Sequence, residues 1–302
     1  MNTPLVILGP TASGKSDVAM AYAARRAGAE IIAVDAMQVY RRMDIGTAKP
    51  TAADRTAVPH HGIDLAEPSE DFTVTRFERA ARQSLVEIAA RRARAVLVAG
   101  TGLYLRTITD PMEIPGRWPE VRAALELRAA GEGSQSLHAQ LAVLDPVAAA
   151  RMEPSNARRV VRALEVTLGG GRPFSSFGPG LDQYPPVPYV QVGLQWSREA
   201  LTQRIAARVH AMMEVGLLAE VEALMTESAP MSRTARQALG YKELVEHLEG
   251  RTSLHQAVNT ILLRTRQFAV RQERWFRRDP RIRWVSIEHD PVAEALPVLL
   301  NT

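Results

Sequence analysis

Apolar and polar positions follow two different rhythms along this chain. The unbroken run Leu5-Val6-Ile7-Leu8 predicts a strand buried on both faces, and a helix-forming stretch over 15–26 follows it. Similar short apolar runs predict strands at 30–34 and 95–99, with a helix over 74–92 between them. That is a βαβ series, so the strands should lie parallel with functional residues at their C-terminal ends. From about 111 the rhythm turns helical, with helices predicted at 119–130, 134–143, 145–152 and 156–168. Asn156 is a good N-cap for the last of these, and Gly169-Gly170-Gly171 ends it. The Pro- and Gly-rich stretch 169–188 reads as loop, after which a strand at 189–195 resumes the sheet. Helices at 198–214, 217–227, 241–248, 253–259 and 260–278 follow, then a last strand at 282–287. The expected organisation is an α/β core over 1–113 and 189–302, a parallel sheet flanked by helices, interrupted by a helical insertion over 114–188.

What stands behind the first strand turns this outline into chemistry. Gly9, Pro10, Thr11, Ala12, Ser13, Gly14, Lys15 and Ser16 match the pattern G-x-x-x-x-G-K-[ST], with the strand before it and the helix after it that the pattern requires. In such a loop the glycines let successive N–H groups fold around an anion, and the helix N-terminus faces the phosphate oxygens. Lys15 adds a point charge, and the Ser16 hydroxyl is a candidate Mg²⁺ ligand. A diphosphate or triphosphate ligand is expected, on a core of P-loop NTPase-like type.

Composition narrows the setting. A chain of 302 residues with 46% hydrophobic content can bury a sizeable core, and the absence of cysteine excludes disulfides and thiolate metal sites. No apolar run approaches the roughly twenty residues needed to span a bilayer, so a soluble cytoplasmic protein is expected. The net charge of +4 is modest, which makes the placement of charge more informative than its sum.

A nucleotide hydrolase or kinase with this loop usually carries an acidic residue at the end of a second buried strand. Here the run 31–34 ends at Asp35, while the run 96–99 ends in Gly100-Thr101-Gly102 without a carboxylate. Asp35 opens the segment Asp35-Ala36-Met37-Gln38-Val39-Tyr40, whose acid, amide and phenol can grip a heterocycle by its edge and face. The bland alternative is that the same acid only serves Mg²⁺ through water. A small-molecule kinase or NTPase therefore remains the alternative at this point.

The longer motif series resembles the bacterial tRNA dimethylallyltransferase family, also called tRNA isopentenyltransferases. The segments are 9–16, Asp35–Tyr40, Arg42–Pro50, Pro59–Asp64, Ala99–Tyr104, Asn156–Glu165, Gln237–Glu243 and Arg271–Arg277, in the family's order and nearly end to end. Departures are small: Ala36 stands where Ser is usual, Ala99 where Gly is usual, and Ser16 where Thr is common. The resemblance implies transfer of a dimethylallyl group from dimethylallyl diphosphate to N6 of adenosine 37 of tRNA, beside the anticodon. It implies that the loop holds the diphosphate of the prenyl donor with Mg²⁺, and that Lys15 stabilises the leaving group. It implies Asp35 as the base that takes the amine proton, with Thr101 beside it. Such a base must first be turned out of its stack. The implied tRNA contacts are Asp35, Ala36, Met37, Gln38, Thr101, Arg122, Arg158, Arg159, Val160, Val161, Arg162, Arg271 and Arg274, the implied partner is a tRNA anticodon stem-loop, and a monomer is expected.

Spacing supports an RNA face. Eight arginines lie between Ile261 and Trp284, and Arg264, Arg271, Arg274 and Arg278 fall within roughly 80° of one another on a helix. Ile261, Phe268, Ala269 and Trp275 form an adjoining apolar stripe. Arg158, Arg159 and Arg162 repeat the device, with Val161 and Leu164 turned inward. Basic helix faces are often merely solvated, and it is their company beside a base-modifying site that points to phosphate contacts. His60 and His61 lack a third ligand and read as structural, and the four tryptophans read mostly as core.

Overall fold

The structure is a computed structural model that describes residues 3–178, 180–181 and 183–302. Two compact units divide it: Met1–Thr109 with Pro186–Thr302, and Asp110–Pro185. The expected loop at 169–188 includes Pro179 and Asp182, which lie outside the described residues.

The larger unit opens with β1 (Leu5–Leu8), α1 (Lys15–Arg25), β2 (Ala29–Val34), α2 (Ala52–Ala57), β3 (His60–His61), α3 (Val74–Ala90), β4 (Arg94–Ala99) and α4 (Gly102–Thr109). Its six-stranded sheet has the order β3-β2-β4-β1-β5-β6, with β5 (Val190–Trp196) and β6 (Arg283–Ile287) supplied from the second half of the chain. Every pairing is parallel. β1 is fully buried and lies between β4 and β5, which explains its uninterrupted apolar sequence. The register pairs Leu8 with Ala99 and Val34 with Ala99, so β1, β4 and β2 end at one level.

Numbered in chain order, the α-helices among the described residues of the smaller unit are α5 (Pro119–Glu132), α6 (Ser134–Leu144), α7 (Pro146–Ala149) and α8 (Ala157–Gly170), and a 3-10 turn follows at Phe174–Ser176. Its own core joins Leu125, Leu137, Leu141, Val160, Val161 and Leu164. Asn156 caps α8 as expected, accepting from the Arg159 N–H at 3.3 Å. The helix expected at 145–152 is only the short α7, entered through the Asp145 cap and Pro146.

The larger unit then continues with α9 (Arg198–Val215), α10 (Leu217–Met225), α11 (Arg233–Arg236), α12 (Tyr241–Leu248), α13 (Leu254–Phe276) and α14 (Pro291–Leu300). Two helices were expected over 253–278, and one continuous α13 is found. A Ser253–Gln256 capping box starts it, and the Thr260 hydroxyl bonds the Gln256 carbonyl at 2.8 Å, so the polar Asn259-Thr260 pair does not break it. Phe268 is not part of the apolar stripe: it is 37% exposed and lies beneath Arg271, 5.9 Å from that guanidinium.

Candidate active site

Three adjacent parallel strands deliver the predicted chemistry to one edge of the sheet. The phosphate loop leaves β1, Asp35 leaves β2, and Gly100-Thr101 leaves β4. Gly9 donates to the Ala99 carbonyl at 3.3 Å and Gly100 to the Val34 carbonyl at 3.4 Å, carrying the strand pairing into the turns. Gly14 has φ 83°, and a Cβ there would meet Pro291 Cγ at 2.5 Å, so this glycine answers both to left-handed backbone and to close approach. Ala12 also takes positive φ, at 62°, and its carbonyl accepts from Arg204 Nε at 2.8 Å. The Arg204 guanidinium lies over the Trp196 ring, and the Trp196 indole donates to the Ser13 carbonyl at 3.0 Å. Ser13 is completely buried, and its hydroxyl has no partner among the described residues.

Lys15 bends back so that its Nζ donates to the Pro10 carbonyl at 3.2 Å. It passes beside the β4 turn, since a Cβ at Gly100 would lie 3.4 Å from Lys15 Cε. Part of its surface stays accessible, yet the crowding of protein around its ammonium pushes its pKa down to about 8. Arg208 adds to the fall by repulsion, while Asp35 and Asp17 oppose it. Arg208 is itself lowered by burial and supported by the same two carboxylates. Lys15 and Arg208 therefore place two cations at the loop, with Asp35 and Asp17 as the carboxylates that favour their charged forms. Nothing in the spacing of Arg208, in the middle of α9, had marked it.

Asp35 is oriented by its own chain. Its Oδ1 accepts from the Met37 N–H at 2.8 Å and the Gln38 N–H at 3.3 Å. Its Oδ2 has no partner among the described residues. The Gln38 amide is turned the other way, donating to the carbonyls of Thr47 and Ala48 at 3.0 and 3.2 Å. Glu220 anchors this same loop: its carboxylate accepts from the N–H groups of Asp44, Ile45 and Gly46 at 2.9, 2.7 and 3.2 Å and from the Tyr241 hydroxyl at 2.5 Å. Lys49, its side chain fully buried, holds the Tyr40 carbonyl, Asp44 and Asp64. Several of the motif residues thus build the loop that carries Asp35 and Gln38.

The basic positions separate into two kinds. In the smaller unit, Arg122 and Arg162 both pair with Glu165, which is 1% exposed, at 3.3 and 3.0 Å. Arg122 thereby joins α5 to α8, while Arg162 pairs within α8 and donates to the Pro115 carbonyl at 3.0 Å. Arg158 and Arg159 are exposed, and their guanidiniums have no partner among the described residues. Val160 and Val161 are core, at 0% and 2% exposure, so the expectation that they contact RNA fails for their side chains. In the larger unit, Arg264 is tied to the buried Glu243, whereas Arg271 and Arg274 are exposed. His60 and His61 form β3, with the His61 ring 2.7 Å from Glu30, which Arg91 also grips. No cluster of three His, Cys, Asp or Glu side chains suited to a metal exists among the described residues. Nor is any helix among them long and apolar enough to cross a membrane.

Comparison with known proteins shows the family. A family model described as IPP transferase matches residues 38–279, and one described as isopentenyl transferase matches residues 3–59. A tRNA dimethylallyltransferase of Pseudarthrobacter chlorophenolicus is 46% identical, over 98% of either chain. One of Geobacter metallireducens is 45% identical, over 93% of this chain and 91% of its own. The crystal structure of a tRNA isopentenylpyrophosphate transferase from Bacillus halodurans superimposes with TM-score 0.70 at 36% identity, covering 100% of this chain and 96% of that one. A eukaryotic dimethylallyltransferase solved acting on tRNA gives TM-score 0.77 at 25% identity, over 95% of this chain and 74% of its own. The motif order, the parallel P-loop sheet and the end-to-end matches agree, and the chain belongs to the IPP transferase family of tRNA dimethylallyltransferases, a family of prenyltransferases.

Proposed function

We propose that this chain transfers the dimethylallyl group of dimethylallyl diphosphate to N6 of adenosine 37 in tRNA, beside the anticodon, releasing diphosphate. The observation that carries this reading is the meeting of an anion loop, a half-committed carboxylate and a small hydroxyl turn on three neighbouring strand ends. The exocyclic amine of adenine is a weak nucleophile, because its lone pair is delocalised into the ring. As N6 attacks the allylic carbon, the carbon–oxygen bond breaks and diphosphate leaves with the electron pair. The amine proton passes to Asp35 Oδ2, the oxygen that the loop amides leave unused. Lys15, Arg208 and the loop N–H groups meet the charge that develops on the departing diphosphate. Thr101, two residues beyond the Ala99 end of β4, touches the adenosine in this reading.

The donor set fits Mg²⁺ held mainly by the substrate. Ser16 is exposed at the start of α1 and offers one hydroxyl, and Mg²⁺ commonly keeps several waters beside substrate phosphate oxygens. When bound there, the ion neutralises charge on the leaving diphosphate. Arg271 and Arg274 on α13, with Arg158 and Arg159 on α8, supply cations for the anticodon stem-loop. The protein acts in the cytoplasm, as a monomer.

The test is incubation with dimethylallyl diphosphate labelled in its allyl group, Mg²⁺ and unmodified tRNA. Label in the RNA and diphosphate released in equal amount are expected. Label that stays in the donor while ATP is hydrolysed would favour a phosphoryl-transfer enzyme instead.

A further inference from the structure

Three parts of the site, far apart in sequence, meet on one side chain whose atoms the chemistry above does not use. Gln272 lies in α13 between the outward-facing Arg271 and Arg274, and is itself 7% exposed. Its Oε1 accepts from the Thr11 N–H at 2.9 Å, and its Nε2 donates to the Gly100 carbonyl at 2.7 Å. Only one orientation of the amide satisfies both partners, so the two bonds define it. The approach is close: a Cβ at Gly100 would lie 3.2 Å from Nε2. One turn further on, Trp275 closes over Gly102, where a Cβ would come within 2.0 Å of its indole. Leucine or methionine would fill the same space, so burial alone does not call for an amide here. What an amide adds is a bond to each of two loops that otherwise touch different substrates.

We propose that Gln272 is a positioning residue that fixes the phosphate loop against the Gly100-Thr101 turn, and so sets the distance between the leaving diphosphate and the adenosine amine. The proposal rests on the reading of the loop as the site of the prenyl donor. A glycine-bearing loop free at Thr11 samples other paths, and each donor then binds with its allylic carbon displaced from the amine. Transfer is sensitive to that displacement, because the gain from holding two reactants together depends on near-attack geometry. RNA affinity is not, because it resides in the neighbouring arginines.

The test compares wild type with Gln272→Met, which keeps length and bulk without either bond, and Gln272→Asn, which is too short to hold both partners. Single-turnover transfer is measured with dimethylallyl diphosphate and tRNA both saturating, alongside tRNA affinity, inorganic pyrophosphate affinity and circular dichroism. Transfer should fall by about 10- to 100-fold in Gln272→Met and less in Gln272→Asn. Affinity for tRNA should stay within about two-fold, while pyrophosphate should bind about 3- to 10-fold more weakly, as expected for loss of one or two hydrogen bonds that preorganise the loop. A transfer rate per RNA-binding molecule within two-fold of wild type would overturn the proposal. So would a loss of rate matched by an equal loss of tRNA affinity, which would make Gln272 part of the RNA surface. Wild-type protein that transfers no prenyl group would overturn the reading of function instead. The tether then stands or falls on pyrophosphate alone: weaker binding by Gln272→Met supports it, and unchanged binding removes it.

Discussion

The ring of Tyr241 occupies the space that any side chain at Gly46 would need. A Cβ at 46 would lie 2.4 Å from Tyr241 Cε2, while the Tyr241 hydroxyl and the Gly46 N–H both bond Glu220. Burial and then the Glu220 carboxylate hold the phenol protonated far above its ordinary range, so Tyr241 acts here as a donor. Two motifs almost two hundred residues apart, around Gly46 and around Tyr241, are therefore one contact. Gly46→Ala should destabilise the protein by about 1–3 kcal/mol, the usual cost of overpacking. Adding Tyr241→Leu should recover part of that loss, which urea unfolding of the two singles and the double would reveal. Strictly additive losses would mean that the ring and residue 46 do not interact.

Asp35→Asn keeps the shape and the oxygen that holds the Met37 and Gln38 amides, but removes the proton acceptor. Single-turnover transfer should fall by roughly 10²–10⁴, the range for a positioned general base. Binding of tRNA and of donor should each survive. Recovery of the rate with excess Mg²⁺ would move Asp35 from the amine to the metal.

Arg271→Ala with Arg274→Ala should weaken tRNA binding and flatten its dependence on salt, because fewer counterions are released. The slope of log affinity against log salt should become shallower by about 1–2, with donor affinity unchanged. An unaltered slope would show that these exposed guanidiniums stay in water.

Lys15 gives a pH signature with a defined sign. Its pKa in the folded protein, about 8, lies below its ordinary value of 10.5. The fold therefore disfavours the charged form. That penalty is complete below about pH 8, shrinks between 8 and 10.5, and is gone above. Lys15→Met should stabilise the ligand-free protein at pH 7, by something on the order of 1 kcal/mol given the partly open site, and should give no gain above pH 10.5. It should also abolish tight donor binding. In wild type at pH 8, an arriving diphosphate raises the Lys15 pKa and draws in a proton, which calorimetry in two buffers of different ionisation heat would detect.

Legibility in the sequence follows the range of the interactions. The phosphate loop, Asp35 and Thr101 were readable because each sits directly after a continuous apolar strand, and a parallel sheet brings strand ends together. β3 is two residues long and α4 begins at a glycine, so neither announces itself by periodicity. The helix α14 carries an internal Pro297, although Asp290 before Pro291 was a usable start signal. Val160 and Val161 share a segment with Arg158 and Arg159, and only the face of the helix separates core from surface. Gln272, Glu220 and Arg208 were beyond reach because periodicity reports which way a side chain points and not what it meets there.

The position of β1 has a consequence for how the protein is made. This first strand pairs with residues 96–99 on one side and 190–193 on the other, and the Thr11 amide waits for Gln272, 261 residues later. At ribosomal rates of about 5–20 residues per second, that interval is on the order of 13–50 seconds. Throughout it the nascent phosphate loop exists without the bond that ties it to α13, and until residues 190–193 have been made the strand beneath it lacks at least one neighbour. Protection of an aggregation-prone apolar strand during synthesis, and not the chemistry of transfer, is then the demand that this topology places on the cell.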